Sequence, residues 1–508
     1  MAIIGELIKR AIELSHNMIS HPDPATAQRE VLSDLMEKAK DTSFGKAYKF
    51  KKILSQEDFQ KVFAAEIPYH DYDKIYNEWW KNAYKGKEDI TWPGKPGYFA
   101  LSSGTTSNTK YIPVTDDMLT SIRNAGIKQV LSMAEFDLPP AFYQKEVLML
   151  GSSTALKEVN GHLEGEISGI SAYNIPFWFK GIYKPGPEIS AIENWDERVE
   201  QIAKKAPEWD IGGLSGIPSW IELMLKKVIE YNKVSNIHEI WPNLEVYTSG
   251  GVSFEPYKKS FPSVLGRPIV VVDTYLASEG YIATQLRKDT DAMTLLTNNG
   301  IYFEFVPLTP ENINEDGSVV DNAKALTLDQ IEEEVDYILV ISTVAGAWRY
   351  VIGDTIKFTD KERVEIKITG RTKSYLNIVG SQLSEIQMIE AVNKLGSDND
   401  IDIQEFTVSA VRKGEDYIHR WYLGCKDPKG VEHGKIAKQL DEILKEKTKN
   451  YKVARTKALK DVEVKLISPE KFYEWAEVKK KKGGQTKVPK VMKEELFEEW
   501  EDFISNRS

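Results

Sequence analysis

The sequence has a single cysteine, Cys425, in 508 residues. No intrachain disulfide can form and no thiolate cluster can hold zinc, so a reducing compartment is expected. Histidine is also sparse, with seven in the chain. No two histidines have chelating spacing; His16 and His21, five apart, fall on different helix faces, so the histidines read as structural. Long apolar runs are missing: the longest, YILVISTVAGAW over 337–348, is too short to cross a bilayer. The opening MAIIGELIKRAIELS mixes charges among apolar residues at helical spacing and lacks the plan of a secretory signal. There is no excess of positive charge. Lys and Arg number 66 against 77 Asp and Glu, a formal net charge of −11, which opposes non-specific binding to nucleic acid while leaving room for a local basic pocket. The phosphate-binding signature G-x-x-x-x-G-K-[ST] occurs nowhere, and no internal repeat or low-complexity linker is visible. These absences predict a soluble cytoplasmic protein without membrane or nucleic-acid partners.

At 41% hydrophobic composition, the chain has enough apolar residues for a large core. DPATAQREVLSDLMEKAKD (23–41) predicts a helix capped by Asp23 with Pro24 at its first position. YHDYDKIYNEWW (69–80) reads as a loop-rich aromatic stretch. GYFAL (97–101) reads as a strand, and Thr115 as the N-cap of a following helix, so 97–136 predicts strand, hydroxyl loop, helix. EVLMLGSS (146–153), LEVYTSGG (244–251) and PIVVVDTYLASEG (268–280) are apolar strands that break at small polar residues, and SWIELMLKKVIEYN (219–232) is an amphipathic helix. This alternation predicts an α/β domain with mostly parallel sheets and flanking helices, its ligand crevice beyond the strand ends. From about residue 370 the pattern changes to a hairpin (IQEFTVSAVRKGEDYIHRWYLGC), a charged helix (434–449), a strand (462–468), a basic loop (479–490) and a final acidic helix. This predicts a large lobe over 1–372 and a small, mobile α+β lobe over 373–508.

Several short stretches carry possible chemistry. In LSSGTTSNTKYIP (101–113), hydroxyls and a glycine can present donors to phosphate oxygens, with Lys110 adding a point charge; the same string also suits an ordinary surface loop. TYLASEG (274–280) offers an aromatic ring, a hydroxyl and Glu279, which can hold a hard divalent cation or simply be solvated. AWRYVIGDTIKF sets Asp354 after a glycine, placed either to accept ribose hydroxyls or to make a β connection. Arg371 in ITGRTKSYLNIVG can reach ribose or phosphate, while Gly370 frees the backbone to swing. GGQTKVPK (483–490) presents Lys487 between glycines and a proline; the KKKK before it (479–482) reads as a solvated face. Tyr173, Phe177 and Trp178 suit either an acyl pocket or the core.

In this order, SSGTTSNTKYIP, YLASEG, WRYVIGD, GRTKSYLNIVG and FYEW…GGQTKVPK, with the lead-in SFGKAYKF…EIPYHDY, resemble the auxin-responsive promoter family of acyl-acid amido synthetases. That family is a branch of the adenylate-forming ligases related to acyl-CoA synthetases and luciferases, and the resemblance runs over essentially the whole chain. It implies ATP and Mg2+ as cofactors. Ser102, Ser103, Gly104, Thr105 and Thr106, with Lys110, would lie at the ATP phosphates. Gly250 and Gly251 would lie near adenine, Tyr275 stacked on it, and Ser278 at the α-phosphate. Glu279 would help bind magnesium, Asp354 would hold the ribose, and Arg371 would sit at a hinge. Lys487, delivered by the mobile lobe, would act in adenylation beside Glu279. Two departures stand out: TTSNTK has no glycine after the threonines, and WRYVIGD replaces the commoner Tyr-Arg-Tyr-Arg-Leu-Gly-Asp. The implied reaction joins a small carboxylic acid to an amino acid through an acyl-adenylate. The rival expectations are coenzyme A as acceptor, or a silent ATP-binding protein.

Overall fold

The computed structural model describes the chain apart from residues 1, 19–21, 104–108, 178, 252–253, 255–256, 259, 310, 315–316, 373–375, 377–382, 384, 414–415, 427–431, 458, 479–487, 493 and 507–508. Strand–helix alternation in the middle of the sequence produces the expected parallel sheet. Val246–Gly250 lies between Ile211–Gly216 and Val270–Ala277, and Glu146–Leu150 lies between Ile211–Gly216 and Tyr183–Lys184, all parallel. Successive side chains leave opposite faces of a strand. Accordingly, Tyr247 packs with Leu148, Leu214 and the helices Trp195–Lys205 and Pro218–Asn232, while Val246 and Val272 pack with Met133, Phe136 and Leu138 on the other face. Burial on both faces is why these strands read as continuous apolar runs.

Parallel order stops at Ala277. A turn at Ser278 and Glu279 reverses the chain into Gly280–Thr284, and every further pairing of the 11-stranded sheet is antiparallel, through Met293–Leu295, Glu365–Arg371, Ala347–Asp360, Asp336–Thr343 and Ile301–Pro307. The sheet is therefore mixed, where the sequence reading expected mostly parallel pairing; hairpin connections from residue 278 onward take the place of helical crossovers. The run over 337–348 is the interior strand Asp336–Thr343, buried from Tyr337 onward, and the turn after it.

Two further expectations are corrected. YHDYDKIYNEWW is helical, with Asp71 capping Tyr72–Ile75 through the Lys74 N–H at 2.9 Å and a π-helical turn over Tyr76–Trp80. The hydroxyl segment does not lead into a helix. Tyr98–Ser103 pairs antiparallel with Thr109–Val114, Ser102 opposite Lys110, in a separate four-stranded sheet; the helix Asp116–Ser132 begins only after Thr115, which caps it as expected. Thr109–Val114 is the edge of that sheet, where Pro113 leaves no interior ladder bond unmade. Asp23 caps Pro24–Ala39, also as expected.

The C-terminal sheet pairs Ile403–Lys413 with Asp416–Cys425 antiparallel, and the latter with Leu459–Ile467 parallel. Trp421 packs with Leu440, Leu444 and Tyr451 on one face, and Tyr422 with Phe472, Trp475 and Trp500 on the other. Among the described residues, no helix is long and apolar enough to cross a membrane.

A buried ion pair anchors the N-terminal helices to the mixed sheet. Arg349 Nε bonds both oxygens of Glu304 at 3.1 and 3.0 Å, and its Nη1 donates to the Ala64 and Ile67 carbonyls at 2.7 Å each. Truncating one member strands the other charge in the core. Glu304→Ala is expected to lower unfolding free energy by about 3–5 kcal/mol, measured by urea denaturation. The exposed pair Arg10–Glu6 provides the contrast, and Glu6→Ala should shift it by about 1 kcal/mol or less.

Candidate functional site

The ends of the sheet strands open into a cleft of about 2440 Å³, lined by both lobes. On the large-lobe side it is lined by Ser102, Lys110, Gly250, Gly251, Tyr275, Ser278, Glu279, Asp354 and Arg371, so the sequence-predicted residues with described side chains all converge there. Ser103 is placed by its backbone, opposite Thr109. Gly104, Thr105, Thr106 and Lys487 lie outside the described residues.

The strand Ala347–Asp360 builds one wall. Its chain runs from Val351 to Thr355 while its neighbour advances only from Val340 to Ile338, a bulge that breaks the ladder and re-aims the extruded residues. Gly353 takes φ +90° inside that bulge, a conformation that L side chains rarely adopt. Asp354 follows and faces two partners. The Tyr275 hydroxyl donates to Oδ2, and Arg371 Nε donates to Oδ1 at 2.9 Å from the directly paired position on the next strand. Asp354 raises the Arg371 pKa, and burial together with Asp354 holds the Tyr275 phenol well above its usual value, so it stays a donor. Tyr275 is 6% exposed.

Glu279 sits in the turn that ends the parallel order, 7% exposed. Burial pushes its carboxyl up; Lys110 opposes the shift and Asp354 adds to it. Lys110 reaches the site from the returning hairpin strand, with Nζ 5.4 Å from the Tyr72 ring centre. Tyr350 lies beside Glu279, and burial, with the charge and hydrogen bonding of Glu279, raises its pKa well above the usual value. A buried carboxylate beside a phenol suits a hard divalent cation. Among the described residues, no group of three His, Cys, Asp or Glu can hold a metal.

The sequence reading missed Tyr72 and Tyr350. Both are positioned by a short parallel bridge: His70 N donates to the Arg349 carbonyl at 3.0 Å and Val351 N to the His70 carbonyl at 2.8 Å. Tyr350 stood inside the quoted WRYVIGD string, four residues before Asp354, but its buried partner Glu279 is remote in sequence. Tyr173 and Phe177 are 55% and 85% exposed, so neither the core nor the acyl-wall alternative holds for them. The helix Ile167–Tyr173 turns Ile170 inward instead, and Trp178 lies outside the described residues. Trp195 and Trp220, packed edge to face at 4.1 Å, line the cleft where those aromatics do not.

The C-terminal lobe contributes Glu385, Glu405, Tyr473 and Lys490 to the cleft. Gly370 lies against that lobe, where a Cβ would come within 2.8 Å of the Glu385 Cβ.

Three sequence models match the chain: the GH3 family N-terminal domain over residues 20–184, its central domain over 294–371 and its C-terminal domain over 386–496. A probable indole-3-acetic acid-amido synthetase of Oryza sativa subsp. japonica, GH3.9, is 25% identical over 50% of this chain and 62% of its own length. Jasmonoyl–L-amino acid synthetase JAR4 of Nicotiana attenuata is 30% identical over 37% of this chain and 33% of its own length. The chain thus spans less than two thirds of the curated relatives it matches. Among solved structures, the GH3.15 acyl acid amido synthetase superposes with a TM-score of 0.78 at 16% identity, over 98% of this chain and 96% of that one. A 2-hydroxyisobutyryl-CoA ligase superposes at 0.57 and 12% identity, over 94% and 91%. The fold is that of adenylate-forming ligases.

Replacing Tyr275 by Phe removes one of the two partners of the buried Asp354. Tyr275→Phe is expected to cost about 1–3 kcal/mol of stability, read as a lower denaturant midpoint at unchanged slope.

Proposed function

The chain belongs to the GH3 family, and from that premise we propose that it is an ATP-dependent, AMP-forming ligase that joins a small carboxylic acid to the amine of an amino acid. The observation that carries this reading is the convergence of Asp354, Tyr275, Arg371, Glu279, Lys110 and Ser102 on one cleft between two lobes. A carboxylate is a poor electrophile, because it is anionic and its oxygen leaves badly. Attack of its oxygen on the α-phosphorus of ATP releases pyrophosphate and leaves the acyl carbon bonded to AMP, a better leaving group. The amine then attacks that carbon, expelling AMP and forming the amide.

In this scheme Asp354 accepts the ribose hydroxyls, held in place by Tyr275 and Arg371. Ser102 positions the phosphates, together with Ser103, Gly104, Thr105 and Thr106 of the hydroxyl-rich sequence that follows it. Lys110 offsets charge near Glu279, and Lys487 brings a second cation from the C-terminal lobe. Glu279, with the substrate phosphates, would hold magnesium, which would supply positive charge against the charge that builds on phosphorus. An amine acceptor is favoured over coenzyme A by four of the cleft's cations: Lys357, Lys367, Lys447 and Lys490 already face Glu334, Asp291, Glu390 and Glu405, at 2.6–3.4 Å, leaving them poorly placed to hold the phosphates of coenzyme A.

Acid-dependent release of pyrophosphate from ATP, followed by mass spectrometry of products formed with amino acids or with coenzyme A, tests the reading. No release with any carboxylic acid would overturn it, and a thioester product would replace the acceptor. Asp354→Ala should weaken nucleotide binding in titration calorimetry. Lys487→Ala should leave binding within a few fold while slowing adenylation on the order of 10²–10³-fold. The raised pKa of Glu279 sets a further expectation. The carboxylate must be ionised to hold the cation, so kcat/KM should fall toward acid pH through a pKa above the ordinary carboxylate range, and Glu279→Gln should abolish that limb.

A further inference from the structure

Ile403–Lys413 is an edge strand of the C-terminal sheet, and the segment that follows Lys487 in the sequence is tied to its outer edge. Val408 bridges Val491 in parallel: its N–H donates to the Lys490 carbonyl and its carbonyl accepts from the Met492 N–H, each at 2.9 Å. Two buried hydroxyls reinforce this short ladder. Thr407 Oγ1 donates to the Pro489 carbonyl at 2.7 Å, and Ser409 Oγ to the Met492 carbonyl at 2.8 Å. Lys490 Nζ pairs with Glu405 at 2.7 Å and lies 4.7 Å from the Phe406 ring centre. Val488 packs against the cluster of Tyr422 and Trp500, and Val488, Pro489 and Lys490 all line the cleft.

The tie starts two residues after Lys487, and two residues of chain span about 7 Å at most. Those two residues are also stiff. The Pro489 ring fixes its own φ, and Val488, preceding a proline, is biased to extended conformations. A shift of the Pro489 carbonyl is thus passed along the chain rather than absorbed in free rotations. The Thr407 hydroxyl holds that carbonyl, and Thr407 is 0% exposed, so it acts on the chain and not on a substrate. We propose that Thr407 is a positioning residue, whose bond to Pro489 fixes the point from which Lys487 is offered to the cleft. This rests on the reading of Lys487 as the cation that acts in adenylation.

The test uses the full chain with ATP, magnesium and the carboxylic acid that releases pyrophosphate fastest. Two half-reactions are measured apart: pyrophosphate release, and amide formation from supplied acyl-adenylate and a mixture of amino acids. Thr407→Val should slow pyrophosphate release about 3- to 10-fold, the range of one neutral hydrogen bond, and leave amide formation unchanged. Thr407→Ser should restore the rate. Pro489→Gly, which loosens the junction while keeping the Thr407 hydroxyl, should slow the same step. In a Lys487→Ala background neither substitution should slow it further, with ATP affinity by calorimetry confirming that each variant folds. Equal slowing of both half-reactions, further slowing on top of Lys487→Ala, or normal release in Thr407→Val and Pro489→Gly would overturn the proposal while leaving the ligase reading intact. Full activity of Lys487→Ala, or no release with any acid, overturns the reading beneath it as well.

Discussion

A desolvated guanidinium underlies the site. Arg349 belongs to the strand Ala347–Asp360, and its bonds to Glu304 and to the Ala64 and Ile67 carbonyls join two strands of the mixed sheet to the N-terminal helices. Two buried charges are tolerated only when their lone pairs and protons are nearly all matched, so this contact admits little sliding. The same strand then supplies Tyr350 beside Glu279 and, within the bulge, Asp354 between Tyr275 and Arg371. The neighbouring His70 is bonded by its ring to the Trp348 carbonyl at 2.8 Å, and burial pushes its pKa down to about 4, so it packs as a neutral ring and brings no further charge. Register fixed on one side of the strand thereby places the polar groups on the other.

The polar groups of the cleft follow from how the two halves of the sheet meet. Parallel strands end together and leave their last residues, Gly250 and Ala277, at a common edge. The switch to antiparallel order at Ser278 and Glu279 puts a carboxylate at that edge, and the bulge at Gly353 brings a second one to meet it. Burial raises the pKa of the first. The second is met on either side by a phenol and a guanidinium. One cleft thus holds two carboxylates in different surroundings, one set beside Lys110 and Tyr350 and the other beside Tyr275 and Arg371.

Much of this was legible in the residues. Apolar strands that stop at glycine, serine and glutamate announced where the cleft would open, because small polar residues mark a strand end that must stay accessible. Asp23 and Thr115 announced helix starts through their side-chain oxygens. The sequence was silent where function depends on partners far apart in the chain. Nothing local in TKYIPV separates an edge strand from a loop, since its pairing with Tyr98–Ser103 decides the matter. Nothing local in SAYNIPFWF shows that Tyr173 and Phe177 face outward, because burial depends on what packs above them. Tyr350 likewise takes its meaning from residues on other elements.

The C-terminal sheet is covered on both faces, Trp421 buried beneath one set of helices and Tyr422 beneath another. Its interior is therefore self-sufficient. If the lobe turns, it wets no apolar core of its own, and among the described residues the contacts that resist turning lie across the cleft, such as Glu385 against Gly370. A body built this way can take more than one bearing on its larger partner without loosening internally.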